Sequence, residues 1–267
     1  MEEMQGDLIT SESLKKDFES LGIKPGMTVI MHSSMKSLGG WIAGGPVALI
    51  LALEQCLGEN GTLVMPTHTP DLSDPASWRL PPVKESWWNP IRETMPAFDE
   101  DLIPCEGMGK IADCFRKQTG VIRSSHPQVS FAAWGSRKAA IIRNHSLTYA
   151  LGENSPLARL YEADGYVLLL GVSHRNNTSI HLAEYRAAYK GKAVVVNKAP
   201  VYINGEKQWV DFVDIDIDPD DFNLIGDAFE RDTNHIRRGK IANADALLMP
   251  IQPLVDYAAV WLEANRK

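Results

Sequence analysis

Apolar residues recur at Leu14, Phe18 and Leu21, spaced i, i+4 and i+7, between Thr10-Ser11, which suit an N-cap, and Gly22, which suits a stop. This spacing predicts an amphipathic first helix. Pro25-Gly26 then makes a turn, and a continuous β-prone run follows from Thr28 to His32. A Ser- and Gly-rich stretch leads to Gly44-Gly45-Pro46, with Pro46 suited to the first position of a second helix over 47–56. Thr62 to Met65 reads as another buried strand. Helix, strand, glycine-rich loop, helix, strand is the order of an α/β protein whose strands are at least partly parallel.

From 67 to 104 the pattern loses any steady period and becomes rich in Pro, Trp and acids, including Trp78, Trp87 and Trp88. Structureless stretches of that length in a compact domain are usually functional, so 70–105 is expected to be an inserted loop or lobe on the substrate side of a single domain covering 1–267. Alternation resumes with a helix over 107–117, a strand over 129–133, a helix over 137–143 and a fully buried strand from Tyr166 to Leu170. Asn204-Gly205 between two β-prone runs predicts a type I′ hairpin, and 254–265 a last amphipathic helix. The expected fold is therefore α/β: a central mixed, partly parallel sheet flanked by helices, with a Trp/Pro-rich lobe and a late antiparallel hairpin.

A net charge of −7 argues against a nucleic-acid binder, which needs clustered Lys and Arg, and makes a cationic small molecule the easier partner. Three cysteines without a CxxC pair suggest reduced structural thiols. The seven histidines show no HExxH or similar ligand spacing, so no metal is expected. The polar N-terminus lacks a signal-peptide pattern and no apolar run approaches a membrane span, which points to a cytoplasmic protein without a membrane partner. Oligomeric state is left open, a homodimer included.

Three segments carry candidate chemistry. The first is HSSMKSLGG at 32–40, a Ser/Gly loop after a strand and shortly before a helix. Such loops offer free N–H groups and hydroxyls to an anion, with Lys36 adding a point charge, although a tight structural turn has the same composition. Neither GxxxxGK[ST] nor GxGxxG is present, nor the GxSxG elbow of serine hydrolases. The second is Arg123-Ser-Ser-His126-Pro127, where Arg123 suits either a phosphate or a surface salt bridge and the proline holds His126 extended.

The third is 176–185, with Asn177 or Thr178 as helix cap and Gly191 as its close. His181 and Glu184 stand at i and i+3 on one face. The helix N-terminus disfavours imidazolium and keeps His181 neutral, as a general base requires, while an orienting Glu184 fixes the tautomer and stabilises the cation once the proton is taken.

In this order, HSSMKSLGG with GGP just after, RSSHPQVSFAAWG, SPLARLY, DGYVLLLGV and NTSIHLAEYRA resemble the aminoglycoside 3-N-acetyltransferase family over nearly the whole chain. The resemblance implies acetyl transfer from acetyl-CoA to an aminocyclitol amine in a ternary complex, without an acyl-enzyme. It places Ser33, Ser34, Met35, Lys36, Ser37, Leu38, Gly39 and Gly40 on the pantetheine and phosphates of CoA, with Arg123, Ser125 and His126 close by. His181 would be the base. N–H groups and hydroxyls of 33–37 are candidates for the oxyanion. By sign and location, Glu93, Asp99 and Glu100 are candidates for attracting a cationic aminoglycoside or another small amine.

Overall fold

The computed structural model describes residues 6–266. Helix α1 (Ser11–Leu21) is capped as its sequence requires: Thr10 Oγ1 accepts the Ser13 N–H, Ser13 Oγ accepts the Thr10 N–H, and Gly22 closes the helix at a φ of 105°. Pro46 stands in the first turn of α2 (Gly45–Leu57). A short parallel pair, β1 (Leu8–Ile9) and β3 (Trp41–Ile42), ties the chain before α1 to the loop before α2.

The main sheet has seven strands: β2 (Thr28–Ser33), β4 (Thr62–Pro66), β5 (Ile122–Arg123), β6 (Phe131–Gly135), β7 (Tyr166–Leu170), β10 (Arg237–Ile241) and β11 (Ala244–Pro250). They lie in the order β10-β11-β7-β2-β4-β6-β5. Only β7, β2 and β4 run parallel, and the strands added on both sides are antiparallel. The mixed, partly parallel sheet is thus the one the alternation predicts.

Both faces of the central strands are covered, which is why they read as unbroken apolar runs rather than as alternation. Val29, Met31, Leu168 and Leu170 pack toward α1, α2 and α4 (Gly109–Phe115). Ile30, Val167 and Leu169 face the opposite layer, formed by α5 (Lys138–Ile142), α6 (Pro156–Glu162), α7 (His181–Arg186), α8 (Phe222–Asp232) and α9 (Ile251–Asn265). The helices expected over 107–117 and 137–143 are shorter than their patterns, and the strand expected over 129–133 is shifted to β6.

α6, α8, β10 and β11 had no clear sequence signal. In α8 the reason is Gly226, a poor mid-helix residue that the packing demands: a Cβ there would come within 2.2 Å of the His174 ring. Among the described residues, no helix is long and apolar enough to cross a membrane.

Segment 67–106 holds two 3-10 turns, Pro75–Ser77 and Glu85–Trp87, and one helix, α3 (Trp88–Thr94). It folds against the hairpin of β8 (Val194–Ile203) and β9 (Glu206–Ile215), whose turn places Asn204 at φ 53° and Gly205 at φ 83°. The Trp209 indole N–H donates to Arg92 O at 2.8 Å, the Phe98 N–H donates to Pro200 O at 3.0 Å, and an Arg92–Asp74 ion pair at 2.7 Å fastens the lobe to itself.

Candidate active site

β2 and β7 are parallel neighbours, yet the chain leaves them toward opposite layers. β2 passes through a 3-10 turn, Met35–Leu38, to α2, while β7 passes to α7. In α/β sheets, ligands bind in the crevice outside the C-terminal ends of strands at such a divergence. A cavity of about 200 Å³ opens there, lined by His32 and Ser33 from β2, His68 from just beyond β4, Met108, Arg175 and His181.

His181 Nδ1 lies 2.5 Å from Glu184 Oε2, and Glu184 is fully buried. The other carboxylate oxygen accepts the Asp218 N–H at 3.0 Å and the Arg266 guanidinium at 2.6 Å. Burial alone would raise the Glu184 carboxyl, but the bonds from His181, Arg266 and the Asp218 N–H outweigh it and hold the group below its ordinary value. Glu184 is therefore an anion facing Nδ1, which must carry the proton, and in the neutral ring Nε2 keeps its lone pair on the cavity side. The Phe222 ring, 4.8 Å away and near edge-on, packs against the imidazole.

The i, i+3 geometry follows the sequence, but its frame differs. α7 begins at His181 itself, after a 3-10 turn over Thr178–Ile180, and neither Asn177 nor Thr178 makes a side-chain cap bond. It ends at Arg186, well before Gly191, which lies in a later turn at φ 84°. Lys192 Nζ closes it by donating to the carbonyls of Tyr185 and Ala187. In a helix of six residues the carboxylate orients His181 far more than the macrodipole does.

Two more imidazoles share the cavity. His32 and His68 each have a buried Nε2 without a partner among the described residues. Burial, helped by the nearby His181, lowers His32 to about 3 and His68 well below its ordinary value, so both are neutral at pH 7.

The central cavity continues in two directions. A second cavity of about 400 Å³ shares Ser33, Met108 and Asn176 with it and runs along Ser34, Met35 and Lys36, with Lys110 opposite. A third, of about 410 Å³, shares His68 and Met108 and runs toward the hairpin between Gln128, Tyr185 and Asp214. His181 lines the central cavity, which both adjoin. Among the described residues, Asp214 is the only carboxylate lining the third cavity, and it is buried, accepting the Tyr185 hydroxyl at 2.7 Å and the Ala150 N–H at 3.2 Å.

Of the loop residues marked by the sequence, Ser33, Ser34, Met35 and Lys36 line a cavity. Ser37 Oγ is engaged with Gly171 O at 2.9 Å, and Leu38 is fully buried in the core. Gly39 and Gly40 serve backbone packing rather than ligand approach. A Cβ would sit 2.7 Å from Asn243 Nδ2 at Gly39 and 2.5 Å from Asp7 O at Gly40.

Arg123 is not presented to a phosphate: its guanidinium is buried over the Phe98 ring and donates to Thr67 O, Ile103 O and Ser130 Oγ. Burial lowers it to about 10. His126 Nδ1 accepts the N–H groups of Gln128 and Val129 while Nε2 donates to Leu147 O, so the ring holds a turn and lines only the third cavity. Ser125 is exposed and lines none of the three cavities.

The lobe carboxylates do not reach these cavities either. Glu93 is exposed and its carbonyl takes Lys207, Asp99 caps the N–H groups of Asp101 and Leu102, and the Glu100 carbonyl faces Arg123. The lobe lies down on the hairpin, bonded to it through Trp209 and Phe98. Residues without an assigned role in the sequence reading are His32, His68, Arg175, Lys110, Tyr185 and Arg266. His68 had a usable signal, as a polar residue just beyond a buried strand. Among the described residues, no group of three or more His, Cys, Asp or Glu side chains is placed to hold a metal ion.

The fold is α/β, and the His181–Glu184 pair stands in a crevice at the sheet's topological switch. The model of the aminoglycoside 3-N-acetyltransferase family matches residues 30–263. The chain is 42% identical to the SPbeta prophage-derived aminoglycoside N(3′)-acetyltransferase-like protein YokD of Bacillus subtilis, over 96% of this chain and 93% of that one. It is 34% identical to aminoglycoside N(3)-acetyltransferase III of Pseudomonas aeruginosa, over 96% and 94%. The structure of AAC-IIIb in its binary complex with CoASH superposes with a TM-score of 0.87 at 28% identity, over 97% of this chain and 98% of that one. The chain belongs to the aminoglycoside 3-N-acetyltransferase family.

Proposed function

We propose that this enzyme transfers acetyl from acetyl-CoA to the 3-amino group of a 2-deoxystreptamine aminoglycoside, by direct attack in a ternary complex with His181 as general base. The observation that carries the reading is the position of His181 in a central cavity that shares lining residues with two further cavities, one along Ser33 to Lys36 and one toward the hairpin. The cavity along Ser33 to Lys36 suits CoA: Met35, Met108 and Val172 offer apolar contact to a pantetheine arm, and Lys36 and Lys110 offer charge to its phosphates. The CoASH complex of AAC-IIIb supports the same co-substrate.

An ammonium cannot attack a thioester, so the amine must first lose a proton, and Nε2 of His181 is the basic atom in the cavity. Its nitrogen then bonds to the acetyl carbon, the C–S bond breaks, the CoA sulfur leaves as thiolate, and the surplus proton on the new amide nitrogen passes to that thiolate, giving the amide and CoASH. Glu184 stabilises the imidazolium through this step. Neutral His32 and His68 and the backbone near Ser33 surround the place where negative charge would develop.

A second reading, another small amine metabolite as acceptor, is favoured by one observation. Among the described residues, neither the central nor the third cavity is lined by a free carboxylate, whereas Arg175 adds a cation. Release of thiol from acetyl-CoA, measured with a panel of aminoglycosides and of small monoamines, decides between the two. Release with aminoglycosides at lower KM supports the first, release with monoamines alone supports the second, and release with neither overturns both.

A further inference from the structure

We propose that Arg266 is a positioning residue for the His181–Glu184 pair, clamping the carboxylate from behind so that its charge does not trap the base as imidazolium. The proposal rests on the reading of His181 as the base.

Arg266 follows α9, some 80 positions from the pair in sequence, and its side chain returns beneath it with only 13% exposed. NH1 donates to Glu184 Oε1 at 2.6 Å, while Nε and NH2 form a two-point bond with Asp221 at 2.7 and 2.6 Å. NH2 also donates to Asp218 O, and the guanidinium lies over the Tyr189 ring at 5.0 Å. Each carboxylate oxygen of Glu184 thus has its own cationic or N–H partner, Oε2 toward His181 and Oε1 toward Arg266. Burial would lower the guanidinium, but Asp221 and Glu184 raise it above its ordinary range, so it is a permanent charge.

A fully buried carboxylate with one ionisable neighbour draws a proton onto that neighbour, because the neutral ring would leave it uncompensated. With Arg266 in place the anion is already balanced while His181 is neutral, which is the state a base must occupy before the amine arrives. Other charged or titratable groups surround the pair: His32, His68 and Arg175 face His181 across the cavity, and Tyr185, Tyr189, Lys192, Asp218 and Asp221 lie around Glu184 and Arg266. Among them Arg266 alone is a cation bonded to Glu184.

The test compares wild type, Arg266→Ala and Arg266→Lys by NMR titration of the His181 ring, assigned by its loss in His181→Ala, and by the pH profile of kcat. In Arg266→Ala the His181 midpoint and the acid limb of kcat should both move up by about one pH unit or more, roughly tenfold in proton affinity, with KM for acetyl-CoA unchanged. A cavity of about 490 Å³ beside Asp218 and Asp221 opens onto the vacated slot, so added guanidinium ion should reverse both shifts. Arg266→Lys should shift both less, in the same direction.

A folded Arg266→Ala with an unmoved midpoint, or a loss of kcat equal at every pH and not rescued by guanidinium, overturns the proposal. If Arg266→Ala does not fold, Arg266→Lys decides by the same midpoint, and no shift there overturns it too. Wild type that transfers no acetyl while the midpoint still moves on substitution would overturn the acetyl-transfer reading and leave the clamp standing.

Discussion

The two cavities that adjoin the one lined by His181 are built differently. The one along Ser33 to Lys36 is made at the ends of parallel strands, where backbone geometry is dictated by the sheet: the Ser34 N–H donates to Leu170 O, and Ser37 Oγ ties the loop to Gly171. The one toward the hairpin is made of side chains brought in by the lobe and by β8 and β9, held by the Trp209 and Arg92–Asp74 contacts and by Gln128, which donates to Leu72 O and Lys198 O. A mouth set by strand order resists change, whereas one assembled from a few long-range side-chain locks can be reshaped without disturbing the chemistry.

The largest effect should come from the central cavity that both adjoin. His181→Ala removes the proposed base and should lower kcat by about 10²–10⁴ while CoA affinity by calorimetry stays nearly the same. Turnover retained at wild-type level would place the chemistry elsewhere and dissolve the comparison.

Acid should open the hairpin side before the strand-end side. Burial lowers His126 to about 4, and burial together with His126 lowers His145 to about 3, from an ordinary 6.5, so both are neutral in the fold. Between those values and 6.5 the unfolded chain binds more protons, so stability is present above 6.5 and is lost as pH falls toward 4. Protonating His126 would also remove the acceptor of the Gln128 and Val129 N–H groups. Tm should drop across this window, by roughly 2–4 °C per kcal/mol for a chain of this size, with hydrogen exchange rising first around 126–129. A flat Tm between pH 6.5 and 4 would contradict neutral burial.

Trp209→Ala should loosen the lobe and raise the acceptor KM about five- to tenfold, the worth of a buried hydrogen bond, with KM for acetyl-CoA unchanged. Equal changes in both constants would show that the two mouths are not independent. The smallest effect is expected for Lys36→Ala, an exposed charge: KM for acetyl-CoA should rise about two- to fivefold at low salt, and the difference should shrink in high salt.

Local sequence determined much of this molecule. The first helix with its caps, Pro46 opening the second, the buried strand Tyr166 to Leu170, the Asn204-Gly205 turn and the His181–Glu184 face all follow from periods, caps and turn residues that act within a few positions. Contacts far apart in the chain were not legible, because nothing near Arg123 announces that Thr67 and Ile103 will consume its donors, and nothing near Arg266 announces Glu184. The burial of His32, His68, His126 and His145, which sets their charge, likewise depends on what the sheet and lobe place over them. Secondary structure and the His181–Glu184 pair were decided by short-range sterics and hydrogen bonding; which polar groups face a ligand was decided by tertiary packing, because only the folded chain determines which donors and charges are already satisfied.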